Sequence, residues 1–289
     1  MVVNTARVGD LAALRGRLTR RLEAAGWPAP AWYPTTPQDT GAAQTRLAVA
    51  DGAEVVFAAG GDGTVAACAG VLVGTEVALA VLPLGTGNLV ARNLGLPADP
   101  DAAARVVLAG QRRRIDVGLL DGRVFLVMAG IGFDAEMLEG TSETAKRTIG
   151  WVAYVFSGLR ALWSAPIRVT VEVPGQPVLR RRARSVLVAN MGVLEGGISL
   201  FPRAEPDDGL FAIGVLSPRT WRHWMRLLAA LLMRRVPPYL EVLTGPKVSV
   251  HADRVQSREL DGEVLDPGAW LDAEVRPAAL WLCVPAPRG

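Results

Sequence analysis

The sequence predicts an α/β protein in two domains, a first in which helices cover a parallel sheet and a second built mainly of strands. Three observations carry this. Strand-like and helix-like segments alternate through the first third of the chain, as they do in parallel sheets with helical faces. After about Arg112 the rhythm changes to strands separated by Gly, Pro and Asp turns, with only two helices interposed. A chain of 289 residues is also long enough for roughly two domains, each burying its own core.

In order, Val2–Val3 reads as a stub of strand, and Asp10 can cap a helix whose Leu11, Leu14, Leu18 and Leu22 recur at helical spacing. A short strand near Ala31–Tyr33, a helix over Ala42–Ala50, a β-branched strand Val55–Phe57, a helix from Thr64 and an apolar strand Val77–Leu82 follow. Further strands are expected at Ile115–Leu120, Val124–Met128, Ile167–Val173, Arg184–Ala189, Leu210–Leu216, Val248–His251, Leu271–Val275 and Leu280–Val284. The two interposed helices are Lys146–Trp163 and Thr220–Arg235, and a domain boundary falls near residue 115.

Composition removes several function classes. Half the residues are apolar and a fifth charged, which excludes disordered and collagenous chains. The net charge of +3 is too mild to require nucleic acid. Lys146 and Lys247 are the only lysines, so a lysine-centred mechanism is disfavoured. Cys68 and Cys283, far apart, offer neither a disulfide framework nor a CxxC metal site and fit a reducing compartment. His223 and His251, the only histidines, leave no HExxH and argue against a Ser-His-Asp arrangement. The first 18 residues lack the apolar core of a signal peptide. The longest apolar run, Leu227–Met233, is far short of the roughly 18 residues that span a bilayer. A soluble or peripheral protein is expected.

The sharpest local feature is Val55–Phe57 leading into Gly60-Gly61-Asp62-Gly63-Thr64 and a helix. Glycines let backbone N–H groups approach phosphate oxygens, and the helix N-terminus adds favourable partial charge. Thr64 is expected to cap that helix. A carboxylate such as Asp62 is repulsive beside phosphate unless it meets Mg²⁺ or a proton. A second loop, Pro83-Leu84-Gly85-Thr86-Gly87-Asn88, repeats the logic after the next strand, so the two make one cleft. Neither is a Walker A loop, because no GKS or GKT occurs.

Three further stretches carry acids or glycines. Gly130-Ile131-Gly132-Phe133-Asp134-Ala135 mimics a dinucleotide fingerprint, but about 20 residues on lies the helical Ile149–Val152 rather than an acid ending a strand. Asp134 therefore reads as a supporting carboxylate. Pro202–Leu210 gathers Glu205, Asp207 and Asp208 in one turn, suited either to a hard cation or to plain solvation. In Leu260-Asp261-Gly262-Glu263, two acids share a face if the segment is extended; a hairpin turn is the alternative.

Taken in order, GGDGT, LPLGTGN, GIGFDA, PRAEPDDGL and LDGE closely resemble the diacylglycerol kinase catalytic-domain family, lipid kinases that include the bacterial diacylglycerol kinases and sphingosine kinases. The resemblance covers about residues 2–285. It implies an N-terminal Rossmann-like three-layer nucleotide-binding α/β domain, residues 1–115 with 277–289 returning to it, and a C-terminal β-sandwich lipid-substrate domain over 116–276. This is the NAD kinase/diacylglycerol kinase-like architecture, with ATP and Mg²⁺ between the domains.

The resemblance further implies that Gly60, Gly61, Asp62, Gly63 and Thr64 hold the nucleotide phosphates and catalytic metal. Gly85, Thr86 and Asn88 complete that pocket, and Thr36 touches the nucleotide. Glu263 or Asp261 accepts the lipid hydroxyl proton, Asp116 supports, and Lys146 fills a basic position before Gly150 and Tyr154. Glu205, Asp208 and the Leu210 carbonyl resemble a structural Mg²⁺ site. The chain departs from the family pattern at Asn4-Thr5-Ala6-Arg7, where relatives read Asn-Pro-x-Ser-Gly, although Arg7 can serve a phosphate. Leu89 stands where many relatives carry Asp, and Ala212 replaces another acid.

The implied reaction transfers the γ-phosphate of ATP to a lipid hydroxyl, most simply diacylglycerol to phosphatidic acid. The partner is then a lipid presented at a membrane surface rather than nucleic acid, the location cytoplasmic or peripheral at the inner membrane face, and a homodimer is compatible. Trp221, Trp224, Met225, Leu228, Leu231 and Leu232, flanked by Arg219, Arg222, Arg226, Arg234 and Arg235, read equally as a membrane-surface helix or a core-facing one. The competing readings are an NAD kinase-like phosphotransferase, since that family also uses a GGDG turn, and a non-catalytic nucleotide or lipid sensor.

Overall fold

The computed structural model describes residues 1–36, 38–132, 166–193, 199–233 and 237–286. The expected helix Lys146–Trp163, with Lys146, Gly150 and Tyr154, lies outside these residues, as do Phe133, Asp134, Arg234 and Arg235. The chain divides into two compact units, Met1–Val117 with Pro277–Gly289, and Gly118–Arg276.

The first unit alternates strand and helix. Its strands are β1 (Val2–Val3), β2 (Tyr33–Pro34), β3 (Val55–Gly60), β4 (Ala78–Pro83) and the start of β5 (Gln111–Leu120); its helices are α1 (Leu11–Ala24), α2 (Ala42–Ala50), α3 (Asp62–Leu72), α4 (Leu89–Asn93) and α5 (Pro100–Ala109). β1 runs parallel to both β2 and β3, β3 parallel to β4, and Leu282 near the chain's end pairs in parallel with Leu79 of β4. β3 is buried on both faces over Val56–Gly60, as a central parallel strand must be between helical layers.

The helices start where their caps dictate. The Asp10 carboxylate accepts the Ala13 N–H, and Asp99 accepts that of Ala102 just before Pro100. Leu14, Leu18 and Leu22 of α1 turn inward onto Phe57, Ala59, Ala80 and Leu82 together with Ala103, Ala104 and Val107 of α5. The helix expected from Thr64 instead begins at Asp62, with Gly61 as its extended N-cap. Thr64 is buried within the first turn, so it packs rather than caps.

The second unit is a β-sandwich. It comprises the end of β5, β6 (Arg123–Phe125), β7 (Met128–Ile131), β8 (Ile167–Glu172), β9 (Leu179–Ala183), β10 (Ser185–Ala189), β11 (Phe211–Leu216), α6 (Trp221–Leu232), β12 (Leu240–Gly245), β13 (Lys247–Leu260) and β14 (Glu263–Val284), of which residues 263–276 belong here. All pairings within it are antiparallel, in the order β12-β11-β10-β7-β13. β13 pairs with β7 through Arg258–Leu260 and with β8 through Ser249–Ala252, so its two halves border different neighbours. Val248, Val250 and Ala252 alternate inward against Val169, Val171, Leu271 and Ala273.

Several expected elements are revised. Val124–Met128 is two strands rather than one, and Leu271–Val275 and Leu280–Val284 are parts of the single strand β14. Pro277, which suggests a break because it donates no ladder hydrogen bond, falls between Glu274, paired to β13, and Leu282, paired to β4. Bulges between His251 and Arg258 hide the length of β13 by breaking its alternation. Among the described residues no helix is long and apolar enough to cross a membrane.

Candidate active site

In open parallel sheets, ligands bind beyond the carboxyl ends of the strands where the strand order reverses. Here β1 lies between β2 and β3, so that reversal is at β1 and β3. Asn4 follows β1, and its N–H donates to Ala59 O at 2.9 Å while its side chain caps the 3-10 turn Thr5–Arg7. Gly60-Gly61-Asp62-Gly63 follows β3 on the same edge, Leu84–Asn88 follows β4, and Thr36 follows β2.

The two glycine loops meet. A Cβ on Gly85 would stand 2.6 Å from the Cα of Gly61, and one on Gly60 would stand 2.5 Å from Thr64 Oγ1. Both distances are too short for a side chain, so glycine is required at 85 by the backbone of Gly61 and at 60 by the buried Thr64 side chain. The Leu84 N–H donates to Gly60 O at 2.9 Å. Asn88 has left-handed backbone angles, φ 47° and ψ 49°, and its carboxamide closes the second loop on Gly85, accepting the N–H at 3.0 Å and donating to the carbonyl at 2.7 Å. Arg92 Nε donates to Gly87 O at 2.6 Å.

Asp62 joins these loops. From the first turn of α3 its Oδ1 accepts the Leu89 N–H, 2.6 Å away at the start of α4. Burial raises the Asp62 pKa above the ordinary carboxylate value, opposed by the Leu89 and Asn88 N–H groups and the Arg92 charge. A carboxylate held partly out of water beside exposed Gly63 and Thr86 is a hard oxygen donor that a divalent cation would relieve, so the residues fit Mg²⁺. Thr36 is exposed, its Oγ1 accepting the Asp39 N–H at 3.1 Å.

In the second unit, Asp261 and Gly262 have φ of 48° and 86° between the paired Leu260 and Glu263. They form the two-residue hairpin turn that favours Asp-Gly. The extended arrangement putting Asp261 and Glu263 on one strand face is therefore corrected to a turn. The Asp261 carboxylate accepts the N–H groups of Leu126, Val127 and Met128 at 2.7, 2.8 and 2.8 Å. Glu263 is exposed and pairs with Arg123 at 2.8 Å.

Sequence reasoning missed Glu259. It pairs with Gly130 across β13 and β7, and its carboxylate lies so close that a Cβ on Gly130 would stand 3.0 Å from Oε1. Burial, reinforced by the Asp261 charge, pushes Glu259 up to about 7. Only the register, which sets a side chain against a glycine, could have found it. Buried Asp116, back in the first unit, accepts the Ala278 N–H at 2.7 Å.

Glu205, Asp208 and Leu210 lie exposed around one turn, where Asp208 Oδ1 accepts the Leu210 N–H at 2.9 Å. Two carboxylates and a carbonyl suit Mg²⁺, which keeps several waters, although among the described residues no three His, Cys, Asp or Glu side chains converge. His223 stacks on Tyr239 at 4.0 Å and His251 tilts against Trp270 at 4.1 Å.

A parallel nucleotide-binding-type sheet with paired glycine loops, followed by a β-sandwich, defines the class of two-unit proteins shared by NAD kinases and diacylglycerol kinases. Residues 2–120 match the diacylglycerol kinase catalytic domain, and residues 127–284 match the YegS C-terminal NAD kinase beta sandwich-like domain. A Pseudomonas aeruginosa protein named "Probable lipid kinase YegS-like" is 33% identical over 251 residues, covering 83% of this chain and 79% of that one. A Chromohalobacter salexigens protein of the same name is 34% identical over 243 residues, 81% of this chain and 76% of the other. The chain belongs to the YegS-like lipid kinase family. The fold is also that of a crystal structure of a diacylglycerol kinase from Bacillus anthracis, with a TM-score of 0.79 at 24% identity over 98% of this chain and 95% of that one. An Archaeoglobus fulgidus NAD kinase in complex with ATP shares it more distantly, with a TM-score of 0.53 at 14% identity over 98% and 92%.

Proposed function

We propose that this chain is an ATP-dependent lipid kinase that transfers the γ-phosphoryl group to a lipid hydroxyl, with diacylglycerol as acceptor and phosphatidic acid as product. The observation that carries the reading is the meeting of Gly61 with Gly85 and the bond from Leu89 to Asp62, in a chain of the YegS-like family. Phosphoryl transfer asks a protein mainly to position phosphates, neutralise charge and orient the attacking hydroxyl. The loops Gly60–Thr64 and Gly85–Asn88 line the phosphate site, with those backbone N–H groups that the loops do not use themselves turned to phosphate oxygens, and Thr36 contacts the nucleotide. Asp62 holds Mg²⁺, which when bound neutralises developing charge on the phosphoryl oxygens. Glu205, Asp208 and the Leu210 carbonyl hold a second, structural Mg²⁺.

Of the hairpin acids, Glu263 is the better proton acceptor in this reading. Asp261 has both oxygens engaged by three backbone donors, so taking up a proton would cost contacts that hold the turn. Glu263 is exposed and, among the described residues, pairs with exposed Arg123.

Radiolabelled ATP offered with diacylglycerol, a sphingoid base, phosphatidylglycerol and NAD in turn tests the assignment. Label in phosphatidic acid alone is the expected result. Label in NADP moves the protein to NAD kinase chemistry, and nucleotide binding without label in any acceptor makes it a sensor.

A further inference from the structure

Helix α6 carries a surface that the phosphoryl-transfer reading does not use. Trp221, Met225 and Met233, at its start, middle and C-cap, are 60%, 47% and 65% exposed, with exposed Ala229 between them. The spacing of four residues puts them in one stripe along the helix. Single exposed apolar side chains are ordinary; a stripe of three large ones is not. The opposite side is anchored: Leu227 is buried and His223 stacks on Tyr239.

Charge accompanies the stripe. Arg219, Arg222 and Arg226 are exposed beside it, and the Arg222 guanidinium is 5.7 Å from the Trp221 ring centroid. The sequence from Ser217 to Leu240 contains no aspartate or glutamate. The next acid, Glu241, is engaged by Arg181 at 2.9 Å. A helix solvated for its own sake commonly interleaves both signs; this one presents a single sign around an apolar stripe.

We propose that the outer face of α6 docks on an anionic phospholipid surface, with Trp221 and Met225 entering the interfacial region and Arg219 and Arg222 meeting lipid phosphates. A second copy of this chain is the poorer occupant, because a two-fold contact through this face sets arginine against arginine. The helix is far too short to span and lies along the interface, as a helix with one apolar and one cationic face does. The inference deepens the lipid-kinase reading by naming where the acceptor's membrane is met, and vesicle binding without turnover tests it separately.

Co-sedimentation of the full chain with vesicles of phosphatidylcholine alone, and of phosphatidylcholine mixed equally with phosphatidylglycerol, is the experiment. Binding to the anionic vesicles, weakened by salt, is expected. Trp221→Ser with Met225→Ser should lower partitioning at least about tenfold, from two lost apolar side chains. Arg219→Gln with Arg222→Gln should lower it by about fivefold per charge, and this pair serves should the apolar pair misfold by circular dichroism. Val255→Ser, equally exposed on β13, should change nothing. Equal partitioning on neutral vesicles, no binding to either kind, or unchanged binding by both α6 pairs overturns the proposal. So does a dimer in analytical ultracentrifugation that the Trp221 and Met225 substitutions dissolve.

Discussion

The Asp62 carboxylate and the Leu89 N–H, 27 positions apart in sequence, are joined by a hydrogen bond of 2.6 Å. One acid thereby fixes the start of α4 relative to the start of α3, and in the proposed reaction the same carboxylate would hold the cation. Asp62→Asn should retain the bond to Leu89 and the fold, because a carboxamide oxygen still accepts. Phosphotransfer should fall by at least about 10²-fold, since a metal's charge stabilisation is worth several kcal/mol. Thermal unfolding alongside the ATP assay checks this; native turnover in the variant would remove Asp62 from the reaction.

Gly85→Ala drives a methyl group to 2.6 Å from Gly61 Cα. Overpacking of this kind costs about 1–3 kcal/mol, and the displaced loops should bind nucleotide at least about tenfold more weakly. Gly70→Ala, within α3, meets nothing within 4 Å; it should leave nucleotide binding near native and should not lower stability. Isothermal titration with a non-hydrolysable ATP analogue and urea unfolding compare the two.

Asp261→Ala orphans three backbone donors, at Leu126, Val127 and Met128. With unsatisfied buried groups costing about 1–3 kcal/mol each, a loss of at least about 3 kcal/mol is expected in urea unfolding. Glu263→Gln removes only an exposed ion pair, so its stability should change by less than about 1 kcal/mol. Its turnover should fall by about 10²- to 10⁴-fold if it is the base, with ATP affinity kept.

Glu259 sets a pH dependence. Its folded value, about 7, lies above the ordinary 4.5, so the folded state binds the extra proton between those values. Its contribution is therefore complete below about pH 4.5 and is lost as pH rises through 7. The residue is only half-buried, so the loss should be about 1–3 kcal/mol. Unfolding free energy measured from pH 5 to 8 should fall more steeply with pH in the native protein than in Glu259→Gln; equal slopes would show that Glu259 ionises normally.

Cys68 and Cys283 are buried and their thiols are pushed up to about 11, chiefly by burial. Thiolate is the reactive form, so both should resist a disulfide reagent at pH 8 in the native protein. Two equivalents should react promptly in guanidinium.

Much of this was legible from short-range chemistry. Asp10, Asp99-Pro100 and Thr220 mark helix starts, and the Leu14, Leu18, Leu22 spacing names the buried face of α1. The glycine loops were readable because glycine at strand ends has few other uses. What escaped depends on pairing partners remote in sequence. Whether Asp261 lies in a turn is written locally as Asp-Gly, but its three donors come from residues 126–128. Glu259 acquires its environment only once β13 is set beside β7. β9 escaped because Arg180–Arg182 are three consecutive exposed polar residues, and β12 because Val242 and Leu243 are adjacent rather than alternating.

Leu282 pairs beside Leu79, 203 positions earlier. The α/β sheet must therefore wait for the residues around 282, which follow the described strands of the sandwich in the chain, before this strand can dock beside β4. Closing so long a loop is slow relative to local pairing. A released chain truncated shortly before residue 280 should thus carry a finished sandwich and an α/β unit with one bare, protease-sensitive flank along β4.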